Sequence, residues 1–133
     1  MRSPLRIATM LLGAFFALQG LGFIADPARA AAGLGMPLLD GLARSTQVGD
    51  FAAFFLAIGV TALVGSRPGR AALLWVPAGV LGGAALMRTL AWLLHEAAFA
   101  GTFIGIEVAC AALLLVAARR LDAPAPRLDS AQR

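Results

Sequence analysis

The chain has 133 residues, of which 60% are hydrophobic and only 14% charged, and its formal net charge is +4. Average soluble domains carry about 25% charge, and a small domain buries little of its surface, so this composition argues against a water-soluble globule and for an integral membrane protein with one compact bundle. All eleven basic residues are arginines, and apart from Arg88 they lie outside the apolar runs without clustering on a polar module, a pattern of membrane orientation and not of nucleic-acid binding.

A bilayer core of roughly 30 Å needs about 20 apolar helical residues to cross it. The first apolar run covers residues 7–24, after Arg2 and Arg6. Asp26 followed by Pro27 is a helix-start signature, an acid at the N-cap and a proline at the first helical position. It predicts a short interfacial helix over residues 27–34, followed by a loop marked by Gly33, Gly35, Pro37 and Gly41. The second run, 47–64, ends in a turn carrying Arg67 and Arg70. The third, 71–94, holds Pro77 about a turn and a half inside, which membrane helices tolerate when neighbours satisfy the freed carbonyl. His95 and Glu96 form a two-residue link to the fourth run, 97–118, closed by Arg119 and Arg120. Residues 121–133 are polar and proline-bearing and read as a disordered cytoplasmic tail. The expected fold is all-α: an integral membrane four-helix bundle of up-down topology, with a short interfacial helix between the first two spans.

Eight arginines fall on the side of the two termini and of the link between the second and third runs, against Arg29 and Arg44 on the other side. The positive-inside rule then places both termini in the cytoplasm. A competing reading of the N-terminus is a secretory signal peptide cleaved after Ala30, within Ala28-Arg29-Ala30. Its apolar run of eighteen residues exceeds the usual 7–15, and Gln19, Gly13 and Gly20 suit helix packing, so an uncleaved first span is the stronger reading. Cys110 is the single cysteine, with neither a disulfide partner nor a metal-ligand companion.

Four polar groups interrupt the apolar runs, one on each. Counted at about 1.5 Å per residue from the non-cytoplasmic ends, Asp50 lies roughly 5 Å deep, Gln19 roughly 8 Å, Arg88 roughly 9 Å and Glu107 roughly 15 Å, near the midplane. All converge in the outer half. Charges at that depth are costly and are kept paired or functional. Arg88 is expected to pair with Glu107 or Asp50 through charge-assisted hydrogen bonds, and the sequence leaves the choice open. If it takes Asp50, Glu107 becomes a protonatable acid fit for general acid chemistry. His95 falls seven residues after Arg88, two turns further along the same face if the helix continues. Glu107, Asp50 and His95 are thus the candidate catalytic groups, with Arg88 and Gln19 as electrostatic and binding groups. Against this, buried Arg–carboxylate pairs often serve only to fix helix register. Asp50 can serve as a helix N-terminal acid, His95 as an ordinary interfacial residue and Gln19 as interhelical glue.

Gly79 with Gly83, and Gly101 with Gly105, have the spacing that lets membrane helices approach closely, and they mark helix faces for packing or homo-oligomerisation. Phe15, Phe16, Phe51, Phe54 and Phe55 read as bundle core or lipid contact, and Trp75 and Trp92 as interfacial anchors. No nucleotide loop, metal-ligand spacing or nucleophile motif is present, so neither a cofactor nor a metal is expected.

The order of a glycine-bearing first helix, DPARAAAGLGMP, RSTQVGDFAAFFLAIGV and GGAALMRTLAWLLHEAAFAGTFIGIEVACAALLL resembles an uncharacterised family of small bacterial four-helix inner-membrane proteins, loosely DoxX-like in architecture. The resemblance covers roughly residues 5–120 and is most specific at Arg88 and Glu107. That family often has Asp-Gly where this chain has His95-Glu96. The resemblance implies architecture and a bacterial inner-membrane location, and it carries no activity. The leading functional expectation is a module that binds a lipid or other apolar small molecule in a polar-lined pocket in the outer half of the bundle. The alternatives are a membrane-embedded enzyme doing acid/base chemistry on a lipid-soluble substrate, and a transporter or channel subunit.

Overall fold

The computed structural model describes residues 3–122. Helix α1 spans Pro4–Ala25; the Ser3 hydroxyl accepts from Arg6 N at 3.3 Å, and Pro4 occupies the first turn, where its missing N–H costs nothing. Asp26 then ends α1 and starts α2, Pro27–Gly33, by accepting from Arg29 N at 3.1 Å. The capping signature is realised at that point. Helix α3 spans Gly41–Gly65, a 3₁₀ turn spans Ala71–Leu74, α4 spans Trp75–Leu94 and α5 spans Gly101–Arg120. The four long segments, with the 3₁₀ turn continuing into α4, are each long and apolar enough to cross a membrane. Among the described residues no strand occurs, and the architecture is an all-α bundle of antiparallel neighbours.

Three boundaries differ from the sequence expectation, each for a physical reason. Helix α3 begins six residues earlier than residue 47, at Gly41. Arg44 stabilises that first turn: its Nη2 bonds Asp40 Oδ1 at 2.7 Å and its Nε bonds Leu39 O at 2.7 Å. Pro77 does not interrupt a helix interior. The chain enters through the 3₁₀ turn, so Pro77 is the third residue of α4, where an N–H would have no intrahelical acceptor. The link between α4 and α5 is six residues, His95–Ala100, and not two. Helix α4 closes with His95 N on Ala91 O at 3.0 Å and Glu96 at φ 53°, so the chain turns out of the helical path there.

Helices α1 and α3 pack most intimately. A methyl group built on Gly13 would lie 2.9 Å from Leu63 N, and one on Gly20 would lie 2.9 Å from Leu56 N. On the opposite wall, a methyl on Gly59 would press on the backbone of Ala17, 2.7 Å from its Cα. Such backbone contact gives membrane helices their dispersion energy, because lipid supplies no hydrophobic drive between spans. The sequence expectation is corrected here. A methyl on Gly79, Gly83 or Gly105 would meet no atom within 4 Å, and one on Gly101 meets only Phe99 from its own link, so these glycines do not mediate packing within the chain.

The second pairing is α4 with α5, and both join the first hairpin chiefly through buried side chains near the termini. Leu74, Leu81 and Leu114 are essentially fully buried there, beside Ala62 and Ala117. Asp122 locks this end: Oδ1 accepts from Gly69 N at 2.9 Å and Oδ2 from Ala71 N at 2.7 Å. The start of the expected tail is therefore an anchored cap; residues 123–133 lie outside the described residues.

At the other end, called here the α2 end, the loop between α2 and α3 is held by Gln47. This buried side chain accepts from Leu39 N at 2.9 Å and donates to Pro37 O at 3.0 Å. Rings of Phe16, Phe23, Phe51 and Phe55 stack between α1 and α3, with centroids 5.3 to 6.3 Å apart. Beyond Ala85 on α4 and before Glu107 on α5 no residue is buried, so the two hairpins part towards this end. Described charges at the two ends differ in balance: Arg6, Arg67, Arg70, Arg119 and Arg120 gather with the single acid Asp122 at the termini end, while Asp26, Arg29, Asp40, Arg44 and Glu96 gather at the α2 end.

Candidate functional site

Where the hairpins part, a cleft of about 510 Å³ opens, within the range of small-molecule sites. One wall carries the aromatic side chains of α1 and α3; the other carries Leu81, Ala84 and Arg88 of α4 with Phe103, Ile106 and Glu107 of α5. Four of the five residues singled out from the sequence line this one cleft: Gln19, Asp50, Arg88 and Glu107. His95 does not. It is exposed at the end of α4, because the helix stops before completing the two turns that would have kept it on the Arg88 face.

Arg88 chooses Glu107. Its Nε donates to Glu107 Oε1 at 2.9 Å. The register follows from the longer link. With α5 starting at Gly101 and not at 97, Glu107 lies six residues inside its helix, as Arg88 lies six residues before Leu94. Both are then roughly 9 Å from their helix ends at 1.5 Å per residue, which corrects the midplane position expected for Glu107. Matching depth on antiparallel neighbours brings the two groups face to face. The guanidinium also lies over the Phe103 ring, 5.0 Å from its centroid, and Phe103 is one turn before Glu107 on α5.

The pair is unevenly buried. Glu107 is 9% exposed as a residue, whereas the Arg88 side chain is 37% exposed. Glu107 Oε2 is buried and has no hydrogen-bond partner, and Arg88 contributes only Nε to a side-chain bond. Asp50 is exposed and sits nine residues into α3, and its carboxylate forms neither a hydrogen bond nor an ion pair with any described residue. Gln19 is exposed on α1 at the cleft rim. Among the described residues no cluster of three or more potential metal ligands occurs.

Sequence reasoning missed one lining residue, Phe103, and one residue that holds the adjoining loop, Gln47. Phe103 lies four residues before Glu107, and that spacing, which places it on the same helix face, was the signal for it. Gln47 resembles the polar start of a span, yet a polar side chain among apolar neighbours is the mark of a residue that serves the backbone of a loop. Comparison of the chain with protein families, curated proteins and solved structures found no match.

Proposed function

We propose that this multi-pass membrane protein is a binding module that holds a lipid or other apolar small molecule in the cleft between its two helical hairpins. The observation that carries this reading is the composition of the walls: six of the chain's eight phenylalanines, Phe15, Phe16, Phe51, Phe54, Phe55 and Phe103, line it around one ion pair. Mostly apolar walls with a few convergent polar groups are the ordinary make-up of a small-molecule site. The reading includes an orientation, with both termini on the cytoplasmic side of a bacterial inner membrane, supported by the arginines at the termini end. The resemblance to small DoxX-like bacterial membrane proteins agrees with that placement.

Acid/base catalysis on a lipid-soluble substrate is the second reading, favoured by Asp50 sharing the cleft with Glu107. It requires chemical change of a bound molecule and its loss in Asp50→Asn. A transport role has less support, since the charged and amide groups lining the cleft lie on the α2-end side of the bundle.

The test is extraction and mass spectrometry of molecules that co-purify with the protein. The native chain is expected to retain an apolar species in stoichiometric amount. Ala84→Trp, which places a large ring in the cleft, should lose that species while keeping its helical circular dichroism. Equal retention by the two proteins would refute the assignment.

A further inference from the structure

Resting on the reading of the cleft as a binding site, the hydrogen bonds left open by the Arg88–Glu107 pair specify the polar end of what binds. A guanidinium has five N–H donors, and the bond to Glu107 uses the one on Nε. The stack on Phe103 engages the guanidinium face and leaves the Nη edges available. None of the Nη hydrogens is bonded to a described residue, and the side chain reaches the cleft surface. On the partner, Glu107 Oε2 is a buried acceptor that no described donor meets. A buried carboxylate oxygen without a donor is expensive, costing more than a typical neutral group. The unused donors and the unused acceptor thus belong to one ion pair in the same wall; the donors reach the cleft surface, whereas Oε2 is covered, so a ligand group that meets it must displace a neighbouring side chain.

We infer that the cleft takes an apolar molecule whose polar end is an uncharged hydroxyl, accepting from Arg88 Nη and donating to Glu107 Oε2. Each competing head group fails one half of this requirement. A carboxylate or phosphate is acceptor-only and adds negative charge beside Glu107 and Asp50, with Arg88 already neutralised. An ammonium is donor-only and lies against the guanidinium. A carbonyl or ether accepts from Arg88 but leaves Oε2 unmet. A hydroxyl meets both halves, with one donor and acceptor lone pairs on a single uncharged atom.

The test uses the full chain in nanodiscs, labelled by a diazirine-bearing long-chain alcohol, with labelled peptides mapped by mass spectrometry. Labelling is expected at residues 51–55 or 103–107. Unlabelled hexadecanol should suppress it at a membrane concentration about tenfold lower than methyl hexadecyl ether, palmitate or hexadecylamine, the effect of one hydrogen bond to a charged group. In Glu107→Gln the amide replaces an acceptor oxygen with a donor, so hexadecanol and its methyl ether should compete equally. Competition by dioleoylglycerol would assign the hydroxyl to a glycerolipid, and its failure to compete would assign it to a single-chain alcohol; both support the inference. Equal competition by alcohol and ether on the native chain, or stronger competition by palmitate, would overturn the hydroxyl while leaving the cleft a binding site. Absence of labelling from the cleft would overturn both. The native-chain comparison decides the matter even if Glu107→Gln does not fold.

Discussion

Arg88 and Glu107 each lie six residues from the adjoining ends of consecutive antiparallel helices, and the 2.9 Å bond between them is the one ion pair joining two spans among the described residues. It fixes the register of α4 against α5 at the mouth of the cleft. Whether it also serves as a scaffold for stability can be measured.

Arg88→Ala should destabilise the protein by about 3 kcal/mol, because it strands Glu107 in low dielectric. The lower end of the range for broken buried pairs applies, since the Arg88 side chain is 37% exposed. Replacing both partners with leucine should recover most of that loss, as hydrophobic replacement of whole buried pairs generally does. Reversible unfolding in detergent of the two single leucine variants and the double variant gives the coupling. Additive losses would show that the pair is not a unit.

Gly59→Ala should cost about 1–3 kcal/mol, because its new methyl meets the backbone of α1, which cannot rotate away. Gly83→Ala is the matched control, with open space at its methyl position, and helix propensity makes it neutral or stabilising by roughly 0.5–1 kcal/mol. Thermal denaturation of the two variants should separate them clearly. Equal melting temperatures would remove the argument that α1 and α3 are held by close backbone approach.

Glu96 is the sole described non-glycine residue with positive φ, at 53°. Glu96→Gly should stabilise by about 1 kcal/mol, the penalty that a side chain incurs in the left-handed region. Glu96→Val should destabilise, since a branched Cβ crowds that conformation further. A lower melting temperature for Glu96→Gly would contradict it.

Gln47→Leu should destabilise by about 1–3 kcal/mol by leaving Leu39 N and Pro37 O without their partner. Hydrogen exchange should accelerate at Leu39 in that variant, while the amides of α1 retain their protection. Unchanged exchange at Leu39 would mean that water or another group replaces the side chain.

Much of the fold is legible in the residues because a membrane chain advertises its spans. Asp26-Pro27 announces α2, and the apolar runs place all four crossings. The start of α5 is not legible. Ala97-Ala98-Phe99-Ala100 is as apolar as any helix, and no capping side chain marks Gly101, so hydropathy alone extends the span through the link. Those four extra residues displace Glu107 to the midplane and obscure its match with Arg88. The tight crossing of Gly13 and Gly20 with Gly59 is hidden for another reason: it depends on two distant helices meeting, whereas the GxxxG spacings within α4 and α5 are visible in one segment and stay unpacked within the chain. The convergence of Gln19, Asp50, Arg88 and Glu107 on one cleft is legible, because charge in an apolar run is rare enough to stand out.

The cleft beside Arg88 and Glu107 is proposed to receive an apolar ligand. A density map of the protein extracted with its native lipid tests this most directly. Elongated density is expected between the hairpins, running along Phe54 and Phe103, with its polar end within hydrogen-bond distance of Arg88. Hairpins closed against one another, with the phenylalanine rings of α3 packed onto α5 and no such density, would contradict it.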